Sequence, residues 1–382
     1  MSPKLLFIYY QNIKAGGVAK VLSNLVNELV NEGYEIDILF LMEKHDDFYP
    51  IDPRVKKHNV DSFDYWTWRL CAFNKKNLRF IPKITSLNNY IYQLGVTLLM
   101  NQWLKGHHQK YDTIISCWYK LSCSLSLNKS VRHKTIAWEH ISHTTGGFFW
   151  NKILKPFYRN LKAIVATNIP GEKYYQLINK NSFTIYNPMD NELENLDYIS
   201  PENKQDIISV VARLDPEKNI GDFIDIIHRA QLPDNWKVKI IGTGSQENEL
   251  KNLVIQKDLS SKIEFLGSKT MEEVYDLLSI SKINCLTSKV EALPTILIQA
   301  MFFSNVLIAY DCPFGPSDII NEENGFLIPL EDKRTFIQKI ELLSHDKSIL
   351  NDMIKHSFQS AKSWKKTDII RNWKKILSGN NI

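Results

Sequence analysis

Residues 207–244 read IISVVARLDPEKNIGDFIDIIHRAQLPDNWKVKIIGTG. The segment opens on a continuous apolar run, 207–212, and after a polar loop carries apolar residues at helical spacing over 220–230. A second strand, 236–241, stops at Gly242-Thr243-Gly244. Strands without polar alternation are those covered on both faces, and a helix between two of them is the repeating unit of a parallel sheet. Towards the carboxyl end the pattern predicts helix 247–257, strand 263–266, helix 271–279, strand 283–286, helix 294–303 and strand 306–310. Towards the amino end it predicts strand 5–9, then Gly16-Gly17, a helix over 18–31 closed by Gly33, and strand 36–41. Later strands fall at 113–117, 135–138, 163–167 and 183–186. The fold class is therefore α/β, with two doubly wound, Rossmann-like domains.

A chain of 382 residues is long for one core and fits two. Residues 190–206 are polar and acidic, contain Pro201 and lack apolar periodicity, so they are expected to link a domain at 1–189 to one at 207–363. The segment 357–377 is expected to be helical and is rich in Trp and Lys. In open parallel sheets, ligands bind beyond the carboxyl ends of the strands, at helix amino termini. Two such sheets facing each other would form a deep cleft lined by the loops that follow these strands.

An apolar content of 44% and a charged content of 23% are those of a globular domain protein. No apolar run approaches the ~18 residues that cross a bilayer. Residues 5–10 are too few for a secretory apolar region and are expected to be a buried first strand. The cysteines Cys71, Cys117, Cys123, Cys285 and Cys312 lack metal-ligand spacing and point to a reducing compartment, the cytoplasm. The net charge of +5 is unevenly placed: residues 65–171 hold fifteen Lys and Arg against only Asp112 and Glu139, a local +13 that leaves −8 elsewhere. Such a cationic half seeks an anionic surface or substrate, and membrane phosphate is favoured over nucleic acid. Within it, Trp66, Trp68, Arg69, Phe73, Lys75, Lys76, Arg79, Phe80 and Lys83 mix aromatics with bases. So do Phe148, Phe149, Trp150, Lys152, Lys155, Phe157, Tyr158 and Arg159. Mixtures of this kind suit a membrane interface, at about 1 kcal/mol per base near anionic lipid, or a solvated basic face over buried aromatics.

Two loops carry candidate chemistry. Arg213 and Lys218 sit between a strand and a helix; Arg offers a bidentate fork for phosphate and Lys a point charge. They either neutralise a departing diphosphate or pair with Asp215 and Glu217 in a solvated loop. The second loop reads Glu291-Ala292-Leu293-Pro294-Thr295, with Gln299 one turn further on. Pro294 suits the first helical position, and Thr295 and Gln299 share a helix face. The unpaired N–H groups of that first turn can hold phosphate or sugar oxygens. Taken alone, Glu291 reads as an ordinary dipole-stabilising acid worth ~0.3–1 kcal/mol.

In order along the chain, these motifs resemble the retaining GT-B glycosyltransferases of the family 4 type, which includes many capsule, O-antigen and glycolipid enzymes. The matching pieces are the strand-ending loop 213–219, Gly242-Thr243-Gly244, Phe265-Leu266-Gly267, the Glu291 helix, residues 311–320 and residues 324–329. Gly16-Gly17 resembles the family's first glycine loop, where bare backbone approaches donor phosphates or acceptor. His140, at the end of Trp138-Glu139-His140, stands where the family often places a His against the donor sugar. Asn187-Pro188 resembles the turn that precedes the interdomain linker.

The resemblance implies two domains in GT-B arrangement, the first binding acceptor and the second the nucleotide sugar. A carboxyl-terminal helix within 364–382 would cross back to the first domain. The resemblance further implies retaining transfer of a hexose or N-acetylhexosamine without a metal, from a UDP-sugar to a lipid-linked or anionic glycan acceptor. Glu291, Arg213, Lys218 and His140 would carry the catalysis. Gly16, Gly17, Gly242, Leu293, Pro294, Thr295 and Gln299 would hold the donor. The chain departs from the family at Gln299, where a second Glu usually accepts from ribose. A charged acceptor is worth ~1.5–3 kcal/mol against ~1 for a neutral one, so weaker donor binding is expected. The alternative is a silent sugar-nucleotide-binding or glycan-binding subunit. Other identifications fit poorly: a dinucleotide fingerprint would need glycine where Glu247 stands, no Asp-x-Asp occurs, and no nucleophile elbow is present.

Overall fold

The computed structural model describes residues 3–13, 16–63, 65–78 and 84–379. Arg79, Phe80 and Lys83 of the first aromatic and basic cluster lie outside the described residues. The chain divides into two compact units, Met1–Pro188 with Ile369–Ile382, and Met189–Asp368.

The first unit holds β1 (Lys4–Tyr9), β2 (Glu35–Phe40), β3 (Lys56–Asn59), β4 (Thr113–Ser116), β5 (Thr135–Glu139), β6 (Ala163–Ala166) and β7 (Ser182–Thr184). They form one parallel sheet in the order β3-β2-β1-β4-β5-β6-β7. Leu5, Leu6, Phe7 and Ile8 of β1 are all buried, because a central strand is covered on both faces. One face packs on Leu22, Leu25, Val26 and Leu29 of the helix Gly17–Asn31. The end of the chain completes that face with Ile369, Ile370, Trp373 and Ile376, and Trp373 meets Trp138 edge-on at 5.1 Å. The opposite face is covered by Val96, Met100 and Leu104 of the helix Ile84–His107.

The second unit holds β8 (Gln205–Val211), β9 (Lys237–Ile241), β10 (Ile263–Gly267), β11 (Ser281–Leu286), β12 (Val306–Asp311) and β13 (Gly325–Pro329). These are also parallel, ordered β10-β9-β8-β11-β12-β13. The order reverses direction at β8 and β11, so their carboxyl ends flank the switch point where ligands enter such sheets. Both units are thus doubly wound, as the sequence indicates.

The segment 190–206 is structured and belongs to the second unit: it contains the short helix Asn191–Glu194, a 3₁₀ turn at Pro201–Asn203 and the start of β8. Lys204 is buried there, donating to the carbonyls of Ser281 at 2.7 Å and Phe303 at 2.6 Å. The helical reading of 357–377 resolves into two helices, Lys347–Ala361 and Lys366–Leu377, separated by a 3₁₀ turn at Lys362–Trp364.

Candidate active site

The loops that follow β8, β9 and β10 are stitched together by backbone. Ala212 N–H donates to Ile241 at 3.0 Å, Leu214 N–H to Thr243 at 2.9 Å, and Gly242 N–H to Gly267 at 2.8 Å. Gly242 has φ +139°, and a Cβ there would lie 1.9 Å from the Ala212 carbonyl oxygen. The glycine is therefore needed to bring these loops side by side.

Arg213 leaves this junction and is 66% exposed, pairing with Asp215 and with Glu217, each at 2.5 Å. Asp215 in turn accepts from the Ser245 N–H and hydroxyl, both at 2.9 Å; these bonds, backbone first, hold its carboxyl below the usual carboxylate range. Exposed pairs of this kind contribute about 0–1 kcal/mol, so the Arg213 fork can be exchanged cheaply for a phosphate.

The chain then makes one 3₁₀ turn, Pro216–Lys218, and Asn219 adopts a left-handed conformation (φ 54°) before the helix Ile220–Arg229. The turn docks on the end of β11. Lys289 N–H donates to the Glu217 carbonyl at 2.8 Å, and the Thr287 hydroxyl donates to the carbonyls of Lys218 and Asn219 at 3.3 and 3.2 Å. This docking carries Lys218 Nζ to 2.6 Å from Glu291 Oε1, with the two side chains only 19% and 11% exposed. An ammonium has three N–H donors and this contact uses one. A largely buried ion pair costs much of its attraction in desolvation, so it is a poor device for stability alone. Its place beyond the central strands points to a ligand instead.

Pro294 caps the helix Thr295–Phe302 rather than opening it: its ψ of 84° lies outside the helical range, and Thr295 is the first helical residue. Leu293 is buried, and Gln299, one turn in, is 8% exposed with no hydrogen bond from its carboxamide among the described residues. Glu291 N–H donates to the Pro313 carbonyl at 3.5 Å, which sets the 311–315 loop beside the acid, and the Cys312 pKa is pushed up to about 12 by burial and then by the Glu291 carboxylate.

Of the residues singled out in the sequence, the structure joins Lys218 to Glu291, sets Arg213 and Gly242 on the adjoining loops, and places Leu293, Pro294, Thr295 and Gln299 just beyond Glu291. It ties Arg213 to its own loop acids rather than to Glu291. Thr287 and Ser288 were not legible in the sequence, whereas Asn219 closes the loop 213–219 that carries the resemblance. The Ser288 hydroxyl and the Asn219 amide nitrogen are buried without partners on these two loops. Only Asn219 left a trace, since asparagine tolerates the left-handed region.

Gly16, Gly17 and His140 belong to the first unit. Gly16 is extended and caps the helix Gly17–Asn31 without a side-chain bond, and a Cβ on Gly17 would meet no atom of the described residues within 4 Å. His140 follows β5, next to Glu139, whose buried carboxylate accepts from Tyr158 at 2.8 Å and Tyr175 at 3.0 Å. The His140 ring lies 4.2 Å from that of Trp138, and its Nε2 is buried without a partner. Burial lowers its pKa from 6.5 to about 3, so the imidazole is neutral at pH 7, with one ring nitrogen to donate and one to accept. Between these two values the unfolded chain binds a proton that the folded chain refuses. Stability is therefore lost as pH falls from about 6.5 towards about 3. In urea titrations at pH 7, 6 and 5, His140→Phe is expected to lose less stability than the parent, by up to about 1.4 kcal/mol per pH unit. Equal slopes would contradict the burial of a neutral ring.

Residues 194–360 match the family of glycosyl transferases group 1, a span that contains every second-unit residue of the site. Over 98% of this chain and 98% of its own length, the protein is 25% identical to a GalNAc-α-1,4-GalNAc-α-1,3-diNAcBac-PP-undecaprenol α-1,4-N-acetyl-D-galactosaminyltransferase of Campylobacter jejuni. The apo lipopolysaccharide outer core galactosyltransferase WaaB superposes with a TM-score of 0.76 at 17% identity, covering 98% of this chain and 99% of that one. HepE of Anabaena, solved with UDP, superposes with a TM-score of 0.75 at 14% identity over 98% and 100% of the two chains. Two parallel sheets with flanking helices in this connection make the fold GT-B. Across residues 194–360 the chain is similar to the glycosyl transferases group 1, and as a whole it resembles GT-B glycosyltransferases.

Proposed function

We propose that the protein is a retaining, metal-independent transferase that moves a hexose or N-acetylhexosamine from a UDP-sugar to a lipid-linked or polysaccharide acceptor in bacterial surface glycan synthesis. The Lys218–Glu291 pair carries this reading. In the transfer, the bond between the anomeric carbon and the diphosphate oxygen breaks, and its electron pair leaves with UDP. Lys218, with its spare N–H donors, and Arg213, released from its exposed acid partners, neutralise that charge as it develops. Glu291 orients the sugar hydroxyls. The acceptor hydroxyl attacks the same face of the anomeric carbon and passes its proton to the departing diphosphate oxygen, so configuration is retained. Gln299 accepts from ribose. A UDP donor is supported by the UDP bound to HepE, and a lipid-linked acceptor by the undecaprenyl diphosphate named in the Campylobacter enzyme.

The first unit would act at an anionic membrane surface, on the cytoplasmic face. Trp66, Phe73 and Phe148 are 52%, 58% and 75% exposed, and Lys75, Lys76 and Lys152 stand in the same segments. No helix among the described residues is long and apolar enough to cross a membrane. Apolar and aromatic side chains flanked by bases favour peripheral binding to anionic lipid.

A panel of UDP-sugars incubated with the enzyme tests the reading by slow release of UDP. One UDP-hexose or UDP-N-acetylhexosamine is expected to turn over, and Glu291→Ala to abolish it. Tight UDP binding with no turnover of any donor, in the presence of membrane acceptor, would favour a silent binding subunit.

A further inference from the structure

The first unit contains a second polar cavity that the donor chemistry does not use. Its volume is about 160 Å³, and it is built from the helix Ile84–His107, the start of the helix Tyr119–Leu127 and the loop after β5. The last two follow β4 and β5, adjacent strands of the sheet, so the cavity stands at their carboxyl ends. Ser86, Asn89 and Tyr90 line one side at i, i+3 and i+4 spacing, which puts them on one helix face. Across from them Lys120 lies 5.7 Å from the Trp150 ring centre and 5.8 Å from that of Tyr119. Gly146, at φ +115°, closes the floor: a Cβ there would stand 2.9 Å from the Tyr119 ring and 3.1 Å from Trp150.

The charge in this cavity is uncompensated. Lys120 forms no ion pair among the described residues, and burial lowers its pKa with no carboxylate to raise it again. Two aromatic faces offset part of that cost, by about 0.5–2 kcal/mol. The helix Tyr119–Leu127 has no side-chain cap, so its positive end adds to the same field. A half-buried ammonium held over rings, facing exposed hydroxyl and amide groups, calls for an anion carried on a polyhydroxylated body. Pockets for drug-sized ligands run to ~300–1,000 Å³, so this one takes a single ring or its charged substituent.

We propose that this cavity is a subsite for an anionic sugar, binding a phosphate or carboxylate on Lys120 and the attached ring against Tyr90, Ser86 and Asn89. Its assignment to the acceptor, rather than to an effector, rests on the transferase reading above.

Binding of α-D-glucose 1-phosphate to the full-length protein, with UDP present at saturation to occupy the donor site, tests the proposal. The sugar phosphate is expected to bind at least about tenfold more tightly than neutral methyl α-D-glucoside and than inorganic phosphate. Lys120→Gln should remove that advantage, Lys120→Arg should keep most of it, and the exposed Asn89→Ala should weaken it severalfold without altering thermal stability. UDP affinity should be the same in all variants. The proposal is overturned if glucose 1-phosphate binds no better than the glucoside or inorganic phosphate. It is equally overturned if Lys120→Gln binds it as the parent does, or changes only binding to phosphatidylglycerol vesicles. A parent that binds the sugar phosphate but not UDP would count against the transferase reading and leave the cavity's chemistry standing.

Discussion

Lys218→Ala is expected to lower turnover by about 10²–10³-fold, the loss typical of removing one donor aimed at developing charge. The effect should fall on kcat more than on donor KM, because the leaving diphosphate gains its extra charge only in the transition state. Glu291 would then be left 11% exposed without the ammonium 2.6 Å away. Removing one member of such a pair costs more than the pair contributes, so Glu291→Gln should be damaging too. Lys218 and Glu291 act as a unit, and the double variant should therefore lose much less than the product of the two single losses. Steady-state rates on the preferred UDP-sugar read all three variants. Multiplicative losses would mean that the two residues serve separate tasks.

Gly242→Ala should be the most damaging single methyl added to the second unit. The new carbon would sit 1.9 Å from the Ala212 carbonyl oxygen, a backbone atom that cannot rotate away, and alanine would be held at φ +139°. Overpacking and a strained backbone each cost about 1–3 kcal/mol, so a loss of about 2–6 kcal/mol is expected. Thermal unfolding would read it, and the displaced 212–214 segment would carry Arg213 with it. Gly17→Ala supplies the contrast, since its Cβ meets nothing among the described residues within 4 Å and the residue opens a helix. It should leave stability unchanged or slightly raised, so any loss of turnover there reports on the ligand.

Local pattern is enough for strands that lie inside a sheet. The strands read at 236–241 and 283–286 are found at Lys237–Ile241 and Ser281–Leu286, where Val238, Ile240 and Ile241 and then Ile283, Cys285 and Leu286 are buried. β3, Lys56–Asn59, was missed: it is an edge strand of exposed Lys and Asn and a half-buried His58, paired only to β2, and carries no apolar signal. The helix Ile84–His107 was missed for a different reason. It buries Gln93 and Gly95 while Leu87, Leu94 and Leu98 stay exposed, so no clean apolar stripe marks its face. The tail was read as one helix because the 3₁₀ turn at Lys362–Trp364 interrupts a pattern that both flanking helices share.

The site was legible to the same extent. Arg213, Lys218 and Glu291 could be listed from motif order, but their pairing depends on contacts 73 residues apart in sequence. The sequence left open whether Arg213 and Lys218 shared the acids of their own loop; the folded chain gives those acids to Arg213 and reserves Lys218 for Glu291. Buried Lys204, in a stretch that reads as a polar linker, is anchored by carbonyls from β11 and the end of the helix Thr295–Phe302. No local pattern encodes that.

The most direct test of the Lys218–Glu291 site is the difference in affinity between UDP and uridine, measured by calorimetry for the parent and for Lys218→Ala. A site that grips the diphosphate should bind UDP at least about a hundredfold more tightly than uridine, and Lys218→Ala should close most of that gap while leaving uridine binding unchanged. Equal affinity of the parent for UDP and uridine, or an undiminished gap in the variant, would contradict the role assigned to Lys218.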